Sequence, residues 1–76
     1  MQIFVKLPAG RLLTLQVEPT DTVAALQARV RELADIPSAQ LRLFFAGNAG
    51  RPLEGARTLA DYGVQIQSTV HVMLAS

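Results

Sequence analysis

A single segment of this chain has the apolar periodicity of a helix, and it lies between segments with the periodicity of strands. Its apolar residues recur about every 3.6 residues: Val23, Leu26, Val30 and Ala34. Thr22 precedes them and is a suitable N-cap, because its hydroxyl can accept a hydrogen bond from a free backbone N–H group. The Ile36-Pro37 step ends the run, since a residue before proline disfavours the helical conformation. We therefore predict a helix near residues 22–34.

The flanking segments alternate between apolar and polar residues, which is typical of half-buried strands. Residues 1–7 and 13–17 are separated by the turn sequence Pro8-Ala9-Gly10 and are predicted to form a hairpin. "QLRLFFAG" and "STVHVML" are predicted to be the third and fourth strands, with one short helical turn at "TLADYG" between them. A helix packed across one face of a mixed sheet would bury all of these apolar faces. We expect an α+β fold.

The alternation also predicts which side chains face away from the helix. Leu41, Leu43, Phe45, Val70, Val72 and Leu74 are predicted to point inward, and Arg42, Phe44, His71 and Met73 to point outward. Clustered apolar side chains on a surface usually mark a binding site, whereas scattered ones are ordinary. Phe4 and Leu12 also point outward in the first hairpin. For them, a second small patch and an incidental surface both stay open.

The composition predicts one domain over residues 1–76 and excludes several classes of function. The chain has no cysteine for a disulfide or a thiolate metal site. Its formal charge of +1, spread along the chain, gives no basic surface for nucleic acid. Lys6 and Pro8 interrupt the amino-terminal apolar stretch, which is therefore no secretory signal, and no run is long enough to span a membrane. We expect a soluble cytoplasmic or nuclear domain.

No arrangement of residues predicts catalysis, a metal or a cofactor. His71 is the only histidine, and it is predicted to face outward without a partner to orient its ring. The "GNAG" sequence at 47–50 has the spacing of a nucleic-acid-binding KH loop, but it follows a strand and supplies no charge for phosphate. We expect no enzyme.

Several segments closely resemble the ubiquitin family, in order and along the whole chain: "MQIFVK", "TLQVEPTDT", "IP" at 36–37, "RLFFAG", "LEGARTLADYG" and "STVHVML". The resemblance needs only a short insertion in the loop after Gly47. It implies a β-grasp fold and an exposed apolar patch on the sheet that other proteins bind. The positions that match the patch and its border are Pro8, Arg42, Phe44, Gly47, His71 and Met73. The partners implied are ubiquitin-binding domains or proteasome-type receptors, with the domain itself a monomer.

The chain departs from the family pattern at the lysines through which polymeric chains are built. It keeps only Lys6 as a possible isopeptide acceptor; the other positions hold Arg11, Gln27, Arg29, Leu33, Asn48 and Ile66. It also stops at Ser76, short of the family's diglycine tail, and Ala75 resembles the Nedd8 branch of the family. From the resemblance we expect a non-covalent docking module that is part of a larger protein. The alternative is a conjugatable modifier that lacks its tail in this chain.

Overall fold

The computed structural model describes residues 1–8, 10–34 and 41–74. Within these ranges the chain forms four strands, one α-helix and two short 3₁₀ turns. The 3₁₀ turns are Ala46–Asn48 and Ala60–Tyr62, and the second confirms the helical turn predicted at "TLADYG". The longer elements are β1 (Gln2–Lys6), β2 (Leu12–Gln16), α1 (Val23–Ala34), β3 (Leu41–Phe44) and β4 (Thr69–Leu74).

The helix begins where the sequence predicts. The backbone N–H of Ala25 donates to the Thr22 hydroxyl over 3.1 Å, so Thr22 is the N-cap. Two more free N–H groups of the first turn find backbone acceptors, from Val23 to the Arg57 carbonyl at 2.8 Å and from Ala24 to the Gly55 carbonyl at 3.0 Å. These bonds join the start of α1 to the loop before β4. The residues predicted to end the helix, 35–38, lie outside the described ranges.

The strands form a mixed sheet in the order β2-β1-β4-β3. The hairpin pairs β1 with β2 antiparallel, and β3 pairs antiparallel with β4. The two central strands, β1 and β4, are parallel. Parallel strands need a long connection, and here β2, α1 and β3 lie between them in the chain. The mixed sheet with one crossing helix confirms the predicted α+β, β-grasp architecture.

The core lies between α1 and the face of the sheet turned toward it. Every second side chain of a β-strand points to this face. The residues predicted to lie there are almost all buried. Those with no more than 2% of their surface exposed are Ile3, Val5, Val23, Leu26, Val30, Leu43, Leu59, Val70 and Val72. Ala34 and Phe45, also predicted to point inward, are half-buried and pack against this cluster.

One residue on the inward face is not buried, at the end of β4. Leu74 is 46% exposed. It pairs with Leu41 on β3, but β1 pairs only as far as His71 and gives Leu74 no neighbour on its other side. Alternation continues to the last residue of a strand, whereas burial requires cover from the surrounding elements.

The third strand is shorter than predicted. It ends at Phe44, and the 3₁₀ turn at Ala46–Asn48 follows directly. The chain then comes back along the outer edge of β3. The Leu53 N–H donates to the Leu43 carbonyl over 2.8 Å, and Phe44 forms a bridge with Pro52. The returning loop thus covers an edge that would otherwise expose unpaired backbone groups.

Candidate functional site: the outer face of the sheet

The register of β3 against β4 brings four of the predicted patch residues together. Arg42 lies opposite Met73, and Phe44 lies opposite His71. Residues that lie directly opposite point to the same face, with Cβ atoms about 4.5–5.5 Å apart. Leu43 and Val72, the pair between them, point to the core. Arg42, Phe44, His71 and Met73 therefore form one block on the face away from α1.

The four side chains differ in exposure. Met73 is 55% exposed, and Arg42 and His71 are also exposed. Phe44 is half-buried, so the aromatic residue offers less free surface than the alternation suggests. The reason lies in its neighbours: His71 is opposite it on β4, and Pro52 of the returning loop is bridged to it on the other side. The block thus has a partly covered aromatic ring beside a largely free methionine.

Pro8 and Gly47 border this block at opposite ends. Pro8 is exposed in the turn that follows the carboxyl end of β1. Because β1 runs parallel to β4, this turn lies toward the end of β4 that carries Met73. Gly47 follows β3 at the other end, beyond Phe44. A Cβ atom added at Gly47 would lie 2.7 Å from Cε2 of the Phe45 ring, so the packing of that ring favours glycine here.

None of the strand residues on this face carries a negative charge, within the ranges that the structure describes. The strand residues that share it are Gln2, Phe4, Lys6, Leu12, Thr14, Gln16, Arg42, Phe44, Thr69, His71 and Met73. Lys6 and Arg42 are its cationic members, and both are exposed. The formal charge of the chain is only +1, so the absence of carboxylates is a property of this face and not of the whole molecule. A partner surface with acidic residues would be complementary to it.

Comparisons with known proteins now identify the family. Residues 3–76 match the ubiquitin family. The chain belongs to the ubiquitin family. It is 31% identical over 75 residues to Ubiquitin-like protein NEDD8 of Dictyostelium discoideum, covering 99% of this chain and 94% of that protein.

Two further relatives of the ubiquitin family differ in length. Ubiquitin-like protein 1 of Schizosaccharomyces pombe is 32% identical over 75 residues, with 99% of this chain and 92% of that protein covered. Ubiquitin-like protein 4A of Homo sapiens is 34% identical over 74 residues, which are 97% of this chain and 45% of that protein. The same domain thus resembles a nearly whole protein in one case and less than half of one in another. Members of the family are generally modifiers or adaptors and not enzymes.

Lys6, the remaining lysine of the ubiquitin-family pattern, lies on the outer face directly opposite His71 of β4. Its side chain is exposed. The amino group of Met1 is partly buried and donates to the Val17 carbonyl over 2.6 Å. Arg29, at another family lysine position, donates through its guanidinium to the Gln16 carbonyl. That Lys6 accepts an isopeptide bond remains a prediction.

A polar depression lies elsewhere, beside the loop that returns along β3. It is lined by Asn48, Arg51, Pro52, Glu54, Arg57, Asp61 and Tyr62. The Tyr62 hydroxyl accepts a hydrogen bond from the Glu54 N–H at 2.8 Å. The Glu54 carboxylate holds the pKa of the Arg57 guanidinium above its usual value, through a hydrogen bond of 2.8 Å and through its charge. Both side chains are exposed, so this ion pair contributes little to stability.

The described part of the chain offers neither a metal site nor a membrane-spanning helix. No group of three or more His, Cys, Asp or Glu residues there is arranged to hold a metal ion. No helix in the described part of the chain is long and apolar enough to cross a membrane. The outer face of the sheet, with its exposed block of side chains, is the candidate functional site.

Proposed function

We propose that this ubiquitin-family domain is a docking module that binds other proteins non-covalently through the outer face of its sheet. The observation that carries the proposal is the β3–β4 register, which groups Arg42, Phe44, His71 and Met73 on one face. Clustered apolar side chains at a protein surface favour binding. A partner gains the burial of Met73 without unfolding any part of the domain.

The chemistry of the face suits reversible recognition. Aromatic residues in the centre of an interface often dominate its energy, and the half-buried ring of Phe44 is already positioned by its neighbours. Methionine is flexible and adapts to partners of different shape. A small interface of this kind is expected to be weak, which suits a domain that must release its partner.

The partners that we propose are ubiquitin-binding domains or proteasome-type receptors, bound by a monomeric, non-enzymatic domain in the cytoplasm or nucleus. The strand residues of the outer face include Lys6 and Arg42 and no carboxylate in the described ranges, so a partner surface rich in Asp or Glu fits it better than a basic one. The match to less than half of Ubiquitin-like protein 4A supports a domain that works inside a longer protein.

A conjugatable modifier remains the second candidate. It is favoured by the likeness to Ubiquitin-like protein NEDD8 over 94% of that protein. The two functions differ in covalent attachment, because a modifier becomes joined to its targets through an amide bond. The test is to express the full coding sequence with an amino-terminal tag and to purify it under denaturing conditions. Bands heavier than the protein itself, with branched peptides by mass spectrometry, would favour the modifier.

The docking face is tested by an NMR titration with a ubiquitin-binding helix. We expect the shift changes to cluster at residues 6–8, 42–47 and 70–74. Replacing Phe44 by Ala should weaken binding by about 1–3 kcal/mol while the fold survives, because its side chain lies outside the core. Shift changes that fall on residues 22–34 would show that the docking face is wrong.

A further inference from the structure

The sheet register aligns four side chains in one row across all four strands. Leu12 of β2 lies opposite Lys6 of β1. Lys6 lies beside His71 of β4, and His71 lies opposite Phe44 of β3. Directly opposed residues share a face. The row therefore runs from Leu12 at one edge of the sheet, through Lys6 and His71, to Phe44 at the other edge.

The two ends of this row are apolar and its middle is basic. Leu12 is 54% exposed, although leucine is mostly buried in folded proteins. Phe44 is half-buried, and Lys6 between them is exposed. The alternation alone left Leu12 as either part of a small patch or an incidental surface residue. The register places it in line with the proposed docking residues, as a second apolar site on the same face.

The length of the row fits an α-helix that lies across the strands. Neighbouring strands are about 4.8 Å apart, so three spacings separate Leu12 from Phe44 by about 14 Å. An α-helix rises about 1.5 Å per residue, so about ten residues cover this distance. Close to this spacing, residue i+11 lies on the same side of a helix as residue i. Two apolar residues at this spacing would reach both ends of the row.

The positive charge of Lys6 favours an acidic residue of the partner helix between the two anchors. Lys6 lies in the row and Arg42 beside it, and none of the described strand residues on this face is a carboxylate. In a helix with anchors at i and i+11, positions i+4 and i+7 lie on the same side as the anchors. A glutamate at whichever of the two is about 6 Å from the Leu12 anchor would lie over Lys6 and form a charge-assisted contact. A basic residue there would meet a like charge, which disfavours binding.

We propose that Leu12 is a second anchor site, and that the partner is an acidic amphipathic helix with two apolar anchors about eleven residues apart and a carboxylate between them. This inference rests on the proposed docking function and names the partner class and the residue that selects it. The helix lies across the strands, with one anchor at Phe44 and Met73 and the other at Leu12. With glutamates at both i+4 and i+7, either direction of the helix places one of them over Lys6.

Two alanine-rich helical peptides of about 20 residues test the inference, since shorter isolated helices are poorly formed in water. One carries leucines at i and i+11 with glutamates at i+4 and i+7; the other keeps both glutamates but has only one leucine. We expect the two-anchor peptide to bind about five- to tenfold more tightly in a titration monitored by NMR or fluorescence anisotropy. Replacing Leu12 by Thr should remove this gain and leave the binding of the one-anchor peptide unchanged.

Leu33 gives a matched control. It is 51% exposed, close to the value for Leu12, but it lies on α1, on the other side of the molecule from the outer face. Replacing Leu33 by Gln removes a similar apolar surface and should leave both affinities unchanged. A second check reverses the charge: Lys6→Glu should weaken binding of the two-anchor peptide, and lysines in place of the two glutamates of the peptide should restore it. Thermal unfolding of each variant confirms that it is folded.

The outcomes separate this inference from the function on which it rests. If the one-anchor peptide binds at residues 42–47 and 70–74 but the second anchor adds nothing, Leu12 is not an anchor site and docking still stands. If Leu12→Thr and Leu33→Gln lowered the affinity for the two-anchor peptide equally, the inference would also be overturned, because the peptide would then be making general hydrophobic contact. If neither peptide binds, the docking function itself is contradicted.

Discussion

The two faces of this sheet are formed by the same strands, but one is buried and the other is largely exposed. Leu43 has no exposed surface, while its chain neighbours Arg42 and Phe44 lie on the outer face with Met73, which is 55% exposed. Helix α1 covers the inner face, so the burial of that face contributes to folding. In the described part of the chain no helix packs on the outer face, where Met73 stays exposed. One face of the sheet therefore stabilises the domain, while the other leaves the apolar surface of Met73 exposed.

The largest expected effect comes from the inner face. Replacing Leu43 by Ala should lower the free energy of unfolding by about 2–5 kcal/mol, because it leaves a cavity in a tightly packed core. This is a large part of the stability of a small domain. Equilibrium unfolding in urea, followed by circular dichroism, measures it. Phe44→Ala is the matched variant at the next residue; if it destabilised the fold as much as Leu43→Ala, the division between the faces would fail.

Removing the N-cap of α1, the helix that covers the inner face, should lower the stability by less. Replacing Thr22 by Ala removes the acceptor for the Ala25 N–H and should cost about 1 kcal/mol of stability. Affinity at the outer face should not change, because the folded state is the same. Thr20→Ala, at an exposed turn position nearby, is the control in the same urea experiment. A change in affinity that follows the change in stability would show that the two faces are coupled.

Replacing Met73 should affect binding more than stability, in contrast to replacing a core residue. Met73→Ser should change the stability by no more than about 0.5 kcal/mol, as is usual for exposed positions. The affinity for a ubiquitin-binding helix should fall by about 1 kcal/mol, because the apolar surface that the partner buries is lost. Isothermal titration calorimetry and urea unfolding give the two values on the same sample. A stability loss comparable to that of Leu43→Ala would contradict the role of Met73 as free surface.

The smallest effect is expected on the helix, remote from the docking face. Replacing Arg31 by Ala should leave the affinity within about 0.5 kcal/mol of the original value. Arg31 is half-buried on α1, on the covered side of the sheet. The same calorimetric titration measures it. A large loss of affinity would mean that the helix takes part in binding and would sharpen the definition of the docking surface.

Much of the fold follows from local patterns in the sequence. The Thr22 cap, the helix near residues 22–34 and the two strands of the hairpin were all predicted from spacing and residue type. Such features depend on neighbours in the chain, so the sequence shows them directly. The predictions failed or fell short at element ends. β3 ends at Phe44, and Leu74 is exposed, because loop geometry and the lengths of neighbouring strands decide cover there.

By itself the sequence determined the alternation of side chains along each strand, the apolar stripe of the helix and the membership of the ubiquitin family. Only the tertiary structure decided which residues lie side by side. The parallel pairing of β1 with β4 puts Lys6 beside His71, and Pro52 returns to cover one side of Phe44. Pairing between strands far apart in the chain is fixed by how the whole core packs and not by local preference. For that reason the row from Leu12 to Phe44 becomes visible only when all four strands are in register.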